Sequence, residues 1–247
     1  MPIPAHSAAT LDTLRQFDTP TVSNVIELFE IRPRNAGYMD GRIRACFPEM
    51  PAIVGYASTV TMRCEVPRAA GPVYNSLDDQ IRAFGELPGP PIVLFQDLDD
   101  PAVAATFGEI MCTTYQSFGA QALITSGAAR DLDQVRRIGF PCFSNGVICS
   151  HGYSHIVDVH VTVRVGGLTV QPGDLIHADC NGVVEIPHEI VSDVAGACAE
   201  FVACEAVVLD YLKGGGRDPQ KFSEARKEMM RKISELSLQV RSKRQVG

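Results

Sequence analysis

Residues 107–131, FGEIMCTTYQSFGAQALITSGAARD, hold the pattern that decides the fold of this chain. The composition of residues 110–118 predicts a helix, and Gly119 suits the position after a helix end, where positive φ is common. The apolar run at residues 121–125 then predicts a short buried strand, and Gly127 begins a loop. The segment therefore reads as helix, turn, strand and loop.

The lengths of these elements bring the two ends of the segment together. A helix of about ten residues is roughly 15 Å long, and a returning strand of five or six residues covers roughly 17 to 20 Å. The helix start at Gly108 and Glu109 is thus expected beside the strand exit at Ala129, Arg130 and Asp131. Free N–H groups, two carboxylates and a guanidinium would suit an anionic substrate beside a divalent cation. A plain helix start with a surface arginine and aspartate is the alternative.

The spacing of these residues resembles a known motif. Glu109, followed after twenty residues by Arg130 and Asp131, is similar to the acidic-x20-Arg-Asp motif of the RraA-like family, which includes metal-dependent 4-hydroxy-4-methyl-2-oxoglutarate aldolases. The resemblance covers roughly residues 10–190 and includes FGE at 107–109, RIGFPCF at 137–143, VRVGGLTVQPGDLIHAD at 163–179 and NGVVEIP at 181–187. The chain departs from the family at Ser126, where an acidic residue is expected, in segment 150–160, and in its longer tail.

The resemblance implies an α/β fold of the RraA-like type, a β/β/α swivelling-domain architecture with a mixed sheet, followed by C-terminal helices. Residues 1–190 are expected to form the catalytic domain. Residues 191–247 are expected to form a helical extension packed on the same domain or on a neighbouring subunit. The pattern alone supports only α/β or α+β, with a hairpin at Gly166-Gly167 and a turn at residues 172–174 as its strongest β signals.

The resemblance also implies a function. The family's aldolases cleave a 4-hydroxy-2-oxo acid to release pyruvate and commonly decarboxylate oxaloacetate, so a divalent-metal-dependent carbon–carbon lyase is expected. By resemblance, Asp131 is a metal ligand, Glu109 supports the metal through water, and Arg130 binds the substrate carboxylate and stabilises the enolate. Mg²⁺ or Mn²⁺ suits such oxygen ligands. The substrate's other oxygens would meet the backbone amides of Gly108, Glu109, Ile110 and Met111.

Two other functions compete with the lyase. The family also contains regulators that bind and inhibit an RNA-degrading endonuclease and lack the acidic residue at the first motif position, so Glu109 favours the enzyme. A methyltransferase is disfavoured because the sequence contains neither GxGxxG nor GxxxxGK[ST]. Since family members form trimers or hexamers, a homotrimer or homohexamer is expected.

Composition limits the partners and the compartment. The chain has 247 residues, 45% of them hydrophobic, and a net charge of −7, which supports one large core and argues against nucleic acid as a main partner. Eight cysteines without a CxxC pair, and a start unlike a secretory signal, favour reduced thiols in the cytoplasm. No run approaches the roughly eighteen apolar residues that a membrane span needs.

Acidic residues after a predicted strand form a second candidate cluster. Asp97, Asp99 and Asp100 follow the apolar run at residues 92–95, and such positions often border a site. A solvated turn explains them at least as well, so they are not assigned to the metal.

Three histidines form a third cluster. His151, His155 and His160 lie within ten residues, but spacings of four and five do not bring three imidazoles to one centre. Asp158 and His160 are expected to share one face of a strand. A substrate hydrogen bond from Tyr153 or His155 fits this segment better than a metal centre.

Overall fold

The structure, a computed structural model, describes residues 2–68 and 77–245, with side chains up to residue 242. The helices in these ranges are α1 Ala8–Leu14, α2 Thr19–Leu28, α3 Leu77–Ala83, α4 Glu109–Ser117, α5 Leu132–Ile138, α6 Val191–Lys213 and α7 Pro219–Gln245. The strands are β1 Arg44–Ala45, β2 Ile53–Arg63, β3 Pro91–Asp97, β4 Ala105–Phe107, β5 Ala122–Thr125, β6 Ala128–Ala129, β7 Cys142–Ser144, β8 His155–Val159, β9 Val163–Val165, β10 Leu168–Val170, β11 Leu175–Asp179 and β12 Gly182–Ile186.

An eight-stranded mixed sheet forms the centre of the fold. Its strand order is β1-β7-β5-β3-β2-β11-β12, and β8 also pairs with β2. Strands β7, β5, β3 and β2 run parallel to one another. Strands β1, β8, β11 and β12 pair antiparallel with their neighbours. The predicted α/β fold with a mixed sheet is confirmed.

Strand β2 joins the parallel and antiparallel parts of this sheet. Along one edge it pairs with β3 from Tyr56 to Met62. Along the other edge it pairs first with β11, starting at Ile53, and then with β8, ending at Arg63. Every residue of β2 except Arg63 is buried, and its β-branched side chains suit a strand covered on both faces.

The helices near both ends of the chain pack on the antiparallel part of the sheet. One apolar cluster joins α1, α2 and α6 to strands β2, β11 and β12, and α7 adds Leu236 and Val240. The C-terminal helices therefore contact the same core as the residues before them, while the predicted boundary at residue 190 stays a prediction. Among the described residues, no helix has both the length and the apolar character needed to cross a bilayer.

Residues with positive φ lie between β9 and β10 and at the end of β8. Gly166 and Gly167, between β9 and β10, have φ of 53° and 80°, so the predicted hairpin is confirmed as a two-residue turn that glycine adopts readily. Strand β8 ends at Val159, and His160 has φ of 53°. The prediction that Asp158 and His160 share one strand face is wrong, because the left-handed backbone at His160 takes its side chain out of the strand.

Candidate active site

The start of α4 and the loop after β5 lie side by side. Strand β4 pairs in parallel with β6, with Ala105 opposite Ala128 and Phe107 opposite Ala129. One residue further, the Arg130 N–H donates a hydrogen bond to the Phe107 carbonyl, with 3.1 Å between N and O. The structure thus brings the helix start and the strand exit together, as their lengths predict.

The carboxylate of Asp131 caps α4 rather than its own helix. Its Oδ2 accepts a hydrogen bond from the Glu109 N–H at 3.1 Å, whereas no side-chain hydrogen bond caps α5. Asp131 has φ of 55° and ψ of 38°, a left-handed conformation that costs a residue with a Cβ about 1 to 2 kcal/mol. Its side chain is 35% exposed, so the carboxylate remains accessible from solvent.

Arg130 is oriented by the same carboxylate. Its Nε lies 3.9 Å from Oδ2 of Asp131, and its side chain is 27% exposed. Gly108 makes this approach possible. A Cβ at position 108 would lie 2.4 Å from Oδ2 of Asp131 and 3.1 Å from Nε of Arg130. Because φ of Gly108 is −153°, an extended value open to any residue, the requirement for glycine is one of space.

The first turn of α4 supplies backbone donors. The first N–H groups of a helix have no intrahelical acceptor. The Glu109 N–H is used by Asp131, and the Cys112 N–H bonds the Gly108 carbonyl at 3.1 Å. Of the three α4 amides predicted to meet a substrate, that of Glu109 therefore already has an acceptor, and those of Ile110 and Met111 lie in the turn that lacks intrahelical acceptors.

The donor atoms of this site suit a hydrated, hard cation. Asp131 and the exposed Glu109 offer carboxylate oxygens. Across residues 2–68 and 77–245, no three His, Cys, Asp or Glu side chains converge in a way that could hold a metal ion. Such a set fits Mg²⁺ or Mn²⁺ with several water ligands, and does not fit a structural zinc centre with four protein ligands.

The three histidines of the segment after β7 are not brought together. Each ring has its own partners. These are the Gly152 carbonyl for His151, the Tyr153 carbonyl for His155, and the side chains of Ser58 and Glu86 for His160. The printed bonds of these histidines hold loops and strand ends, and the predicted substrate hydrogen bond from Tyr153 or His155 stays a prediction.

Asp97 is a buried acid at the end of β3. Only 7% of the residue is exposed; Oδ1 accepts the Asp99 N–H at 3.0 Å, and Oδ2 has no hydrogen-bond partner among the described residues. Burial raises the pKa of the Asp97 carboxyl to about 6. Ser126, the departure from the family pattern, accepts the Asp97 N–H at 2.9 Å. Compared with the acidic residue that the family pattern has at this position, Ser126 still accepts the hydrogen bond of the Asp97 N–H. It adds no second buried charge beside Asp97.

Asp99 has a structural role. Its Oδ2 accepts the N–H groups of Cys64 and Glu65, with N to O distances of 2.6 and 2.9 Å. The carboxylate therefore closes the loop that follows β2. The sequence pattern left the three aspartates open between ligands and a solvated turn. Asp97 and Asp99 are both buried, so the solvated turn is wrong for these two residues.

A cavity of about 480 Å³ adjoins the site. Leu132, which follows Asp131, and residues 144–147 line it together with Arg42 and Arg44. Neither arginine is predicted as a site residue by the sequence pattern. Only the hydrogen-bonded pairing of β1 with β7, across about a hundred residues of chain, brings them here, and no local motif signals that pairing.

Comparisons with known proteins show the family and the fold of this chain. The sequence profile of the RraA-like family, described as Aldolase/RraA, matches residues 19–185. A stretch of 101 residues is 31% identical to a Halalkalibacterium halodurans protein with the provisional name 4-hydroxy-4-methyl-2-oxoglutarate aldolase, covering 40% of this chain and 47% of that protein. The chain spans less than half the length of the curated relatives it matches.

Solved structures share the fold. An uncharacterized protein from Pseudomonas syringae pv. tomato superposes with a TM-score of 0.72 at 22% identity, over 92% of this chain and 97% of that one. Streptomyces coelicolor RraAS2, described as an unusual member of the RNase ES inhibitor RraA protein family, gives 0.66 at 18% identity, over 82% and 96% of the two chains. These likenesses confirm the predicted RraA-like architecture.

Since the profile match covers more than half of its residues, the chain belongs to the RraA-like (Aldolase/RraA) family.

Proposed function

We propose that this protein is a divalent-metal-dependent carbon–carbon lyase that cleaves a 4-hydroxy-2-oxo acid to release pyruvate and also decarboxylates oxaloacetate. The meeting of Glu109, Arg130 and Asp131 at the start of α4 carries the proposal. The name of the Halalkalibacterium halodurans relative, an aldolase, supports it.

Arg130 would bind the carboxylate next to the 2-oxo group. A guanidinium forms charge-assisted hydrogen bonds with a carboxylate, and these are stronger than neutral ones. The N–H groups of Ile110 and Met111 would bind a further substrate oxygen, helped by the positive end of the α4 dipole. The substrate is thereby held with its 2-oxo group beside Asp131.

The chemistry needs stabilisation of negative charge. Asp131 would bind Mg²⁺ or Mn²⁺ directly and Glu109 would do so through water, and the ion would act as a Lewis acid on the 2-oxo group. Cleavage and decarboxylation both leave the enolate of pyruvate. Arg130 would stabilise that charge as it develops, because a fixed donor needs no reorganisation at the moment of reaction.

The protein would work as a homotrimer or homohexamer. Ile110, next to Glu109, is 81% exposed, and Val147, whose backbone bridges to Ala129, is 62% exposed. Apolar side chains that remain exposed beside a site are typical of a subunit contact. A neighbouring subunit would then cover the open side of the site.

A pyruvate-release assay tests the function. The purified protein is incubated with 4-hydroxy-2-oxo acids and with oxaloacetate, each with Mg²⁺, with Mn²⁺ and with excess chelator. We expect release that requires the divalent ion and returns when it is added back. No release from any substrate with either metal would contradict the proposal. Direct binding of a purified RNA-degrading endonuclease would then favour the regulator.

A further inference from the structure

Two cysteines face each other where β1 pairs with β7. In the antiparallel register of these strands, Ala45 lies opposite Phe143. Cys46 and Cys142 are the next pair, because the Cys46 N–H donates to the Cys142 carbonyl with 2.8 Å between N and O. Side chains of directly opposite residues leave a sheet on the same face, with their Cβ atoms roughly 4.5–5.5 Å apart. The thiols of Cys46 and Cys142 are therefore neighbours.

A third thiol comes from α4. Sγ of Cys112 lies 3.8 Å from Sγ of Cys142, which is ordinary contact between two sulfurs. All three cysteines pack in one apolar cluster of the core. Cys112 and Cys142 are 0% and 1% exposed, whereas Cys46 is partly exposed and lines the cavity of about 480 Å³. The thiol cluster, Cys46, Cys112 and Cys142, thus connects the cavity wall with α4.

The thiol cluster is joined to the candidate active site through Cys112. This residue is the fourth of α4, and its N–H bonds the Gly108 carbonyl at 3.1 Å. Glu109, in the same turn, donates its N–H to Asp131. A disulfide between Cys112 and Cys142 would bring their sulfurs from 3.8 Å to roughly 2.05 Å. The turn that holds Asp131 would have to shift toward β7.

The members of the thiol cluster differ in their access to solvent. Burial raises the pKa of the Cys142 thiol well above its ordinary value. Burial also raises the pKa of the Cys46 thiol, but the Ser144 hydroxyl, whose Oγ lies 3.4 Å from Sγ, opposes this rise. Because the thiolate is the nucleophile, Cys46 is the thiol that a small oxidant in the cavity would meet and oxidise first.

We propose that the thiol cluster is an oxidation site, at which a hydroperoxide converts Cys112 and Cys142 into a disulfide by way of Cys46. The Cys46 thiolate attacks the hydroperoxide, the O–O bond breaks, and a sulfenic acid forms while an alcohol, or water from hydrogen peroxide, leaves. Cys142 then attacks the Cys46 sulfur, and the hydroxyl leaves as water with the proton of the Cys142 thiol. Exchange with Cys112 moves the S–S bond to Cys142 and Cys112 and returns its proton to Cys46. Two thiols are oxidised and one hydroperoxide is reduced.

The disulfide regulates the site by displacing the start of α4, and this consequence rests on the proposed function. We expect the oxidised protein to lose roughly 10-fold in Mg²⁺ affinity and in pyruvate release, as for other changes around a metal ligand. Dithiothreitol should restore both, because it reduces the bond.

The experiment identifies the disulfide directly. Folded protein is treated with hydrogen peroxide at pH 7 and at pH 8.5, free thiols are blocked with N-ethylmaleimide, and the bonded peptides are mapped by mass spectrometry. We expect a bond between Cys112 and Cys142 that forms faster at pH 8.5, because more of each thiol is then ionised. Cys46→Ser should slow its formation about 10-fold or more, since the accessible thiol is lost. Cys112→Ser should trap the bond between Cys46 and Cys142.

Cys198→Ser is the matched control. It removes a buried thiol of α6, in a different apolar cluster, and should leave the rate of disulfide formation unchanged. Wild-type protein that stays folded in peroxide and forms no bond between Cys112 and Cys142 overturns the inference. Equal rates in wild type and Cys46→Ser overturn the assigned route through Cys46. Circular dichroism and melting confirm that each variant is folded.

The outcomes separate this inference from the function. If the untreated wild type releases no pyruvate, the proposed function fails, and the peptide map still decides whether the thiol cluster is an oxidation site. If the lyase is active and keeps its Mg²⁺ affinity and turnover after the bond between Cys112 and Cys142 has formed, the regulation is overturned and the lyase stands.

Discussion

The backbone N–H of Glu109 donates a hydrogen bond to Oδ2 of Asp131 across 3.1 Å, although the two residues are 22 positions apart. The bond ties the start of α4 to the loop before α5. The same oxygen lies 3.9 Å from Nε of Arg130. One carboxylate therefore caps a helix and orients a guanidinium, and in the proposed function it also binds the cation.

Asp131→Asn removes the charge while keeping a residue that tolerates the left-handed backbone. We expect Mg²⁺ binding to weaken and lyase kcat/KM to fall about 100-fold or more, because the amide is a poor cation ligand. Calorimetric Mg²⁺ titration and pyruvate release measure the two effects. Asp133→Asn, in the first turn of α5, is the control. Near wild-type turnover with Mg²⁺ bound to Asp131→Asn would show that the site lies elsewhere.

Arg130→Ala should lower turnover without the loss of Mg²⁺ binding expected for Asp131→Asn. The cation ligands remain, so Mg²⁺ affinity should change little, while kcat should fall about 100- to 1,000-fold because the enolate loses a fixed positive partner. The same titration and assay apply, with Arg137→Ala as the control. Equal loss of Mg²⁺ binding in Arg130→Ala would mean that the arginine holds the site's structure rather than the substrate.

Gly108→Ala tests the space at the start of α4. The added Cβ would come within 2.4 Å of Oδ2 of Asp131, so the carboxylate must move. We expect metal affinity and turnover to fall about 10- to 100-fold, as for other changes that misplace a ligand, with little change in melting temperature. Gly85→Ala, where no atom lies within 4 Å of the new Cβ, is the control. Full activity in Gly108→Ala would contradict the proposed position of Asp131.

Asp97→Asn should stabilise the protein at alkaline pH. The pKa of Asp97 is raised from 3.8 to about 6 in the folded state, so the folded protein favours the neutral acid. The carboxyl thus opposes folding above pH 6, by about 2 to 4 kcal/mol, and this cost disappears as pH falls through 6 toward 4. Urea unfolding at pH 8 and pH 4.5 measures the difference between wild type and variant. A difference that is equal at both pH values would show that Asp97 does not titrate as a buried acid.

The exposed side chain of Ile110 offers a test of the proposed homotrimer or homohexamer. We expect light scattering at micromolar concentration to give three or six times the chain mass of 26.7 kDa. Ile110→Asp should shift the protein toward smaller species, because a charge in an apolar contact is unfavourable. Phe118→Asp, at the other end of α4, is the comparison variant. A wild-type protein with the mass of a monomer in light scattering would contradict the proposed homotrimer or homohexamer.

Short-range rules explain why much of the site could be predicted. Gly119 ends α4 with φ of 89°, as its position after a helical pattern indicates. The meeting of Glu109 with Asp131 follows from the lengths of a helix and a strand. The hairpin at Gly166 and Gly167 follows from a turn that needs positive φ. Each of these depends on residues within one continuous segment of the chain.

Long-range packing decides the features that the sequence pattern does not contain. The position of Arg44 depends on pairing with Ser144, and the raised pKa of Asp97 depends on burial by several elements. His160 lies outside β8, and its ring contacts Ser58 and Glu86, both far away in sequence. A local pattern of apolar and polar residues does not show which distant residue a side chain will contact.

Strand β2 determines how this protein loses its structure. It is hydrogen-bonded to parallel β3 on one edge and to antiparallel β11 and β8 on the other, and nearly all of its residues are buried. Neither part of the sheet can detach without exposing β2 to water, so the two parts should unfold in one cooperative transition. Loss of packing in the apolar cluster that joins α1, α2 and α6 to β2, β11 and β12 would then lower the population of molecules with an intact site.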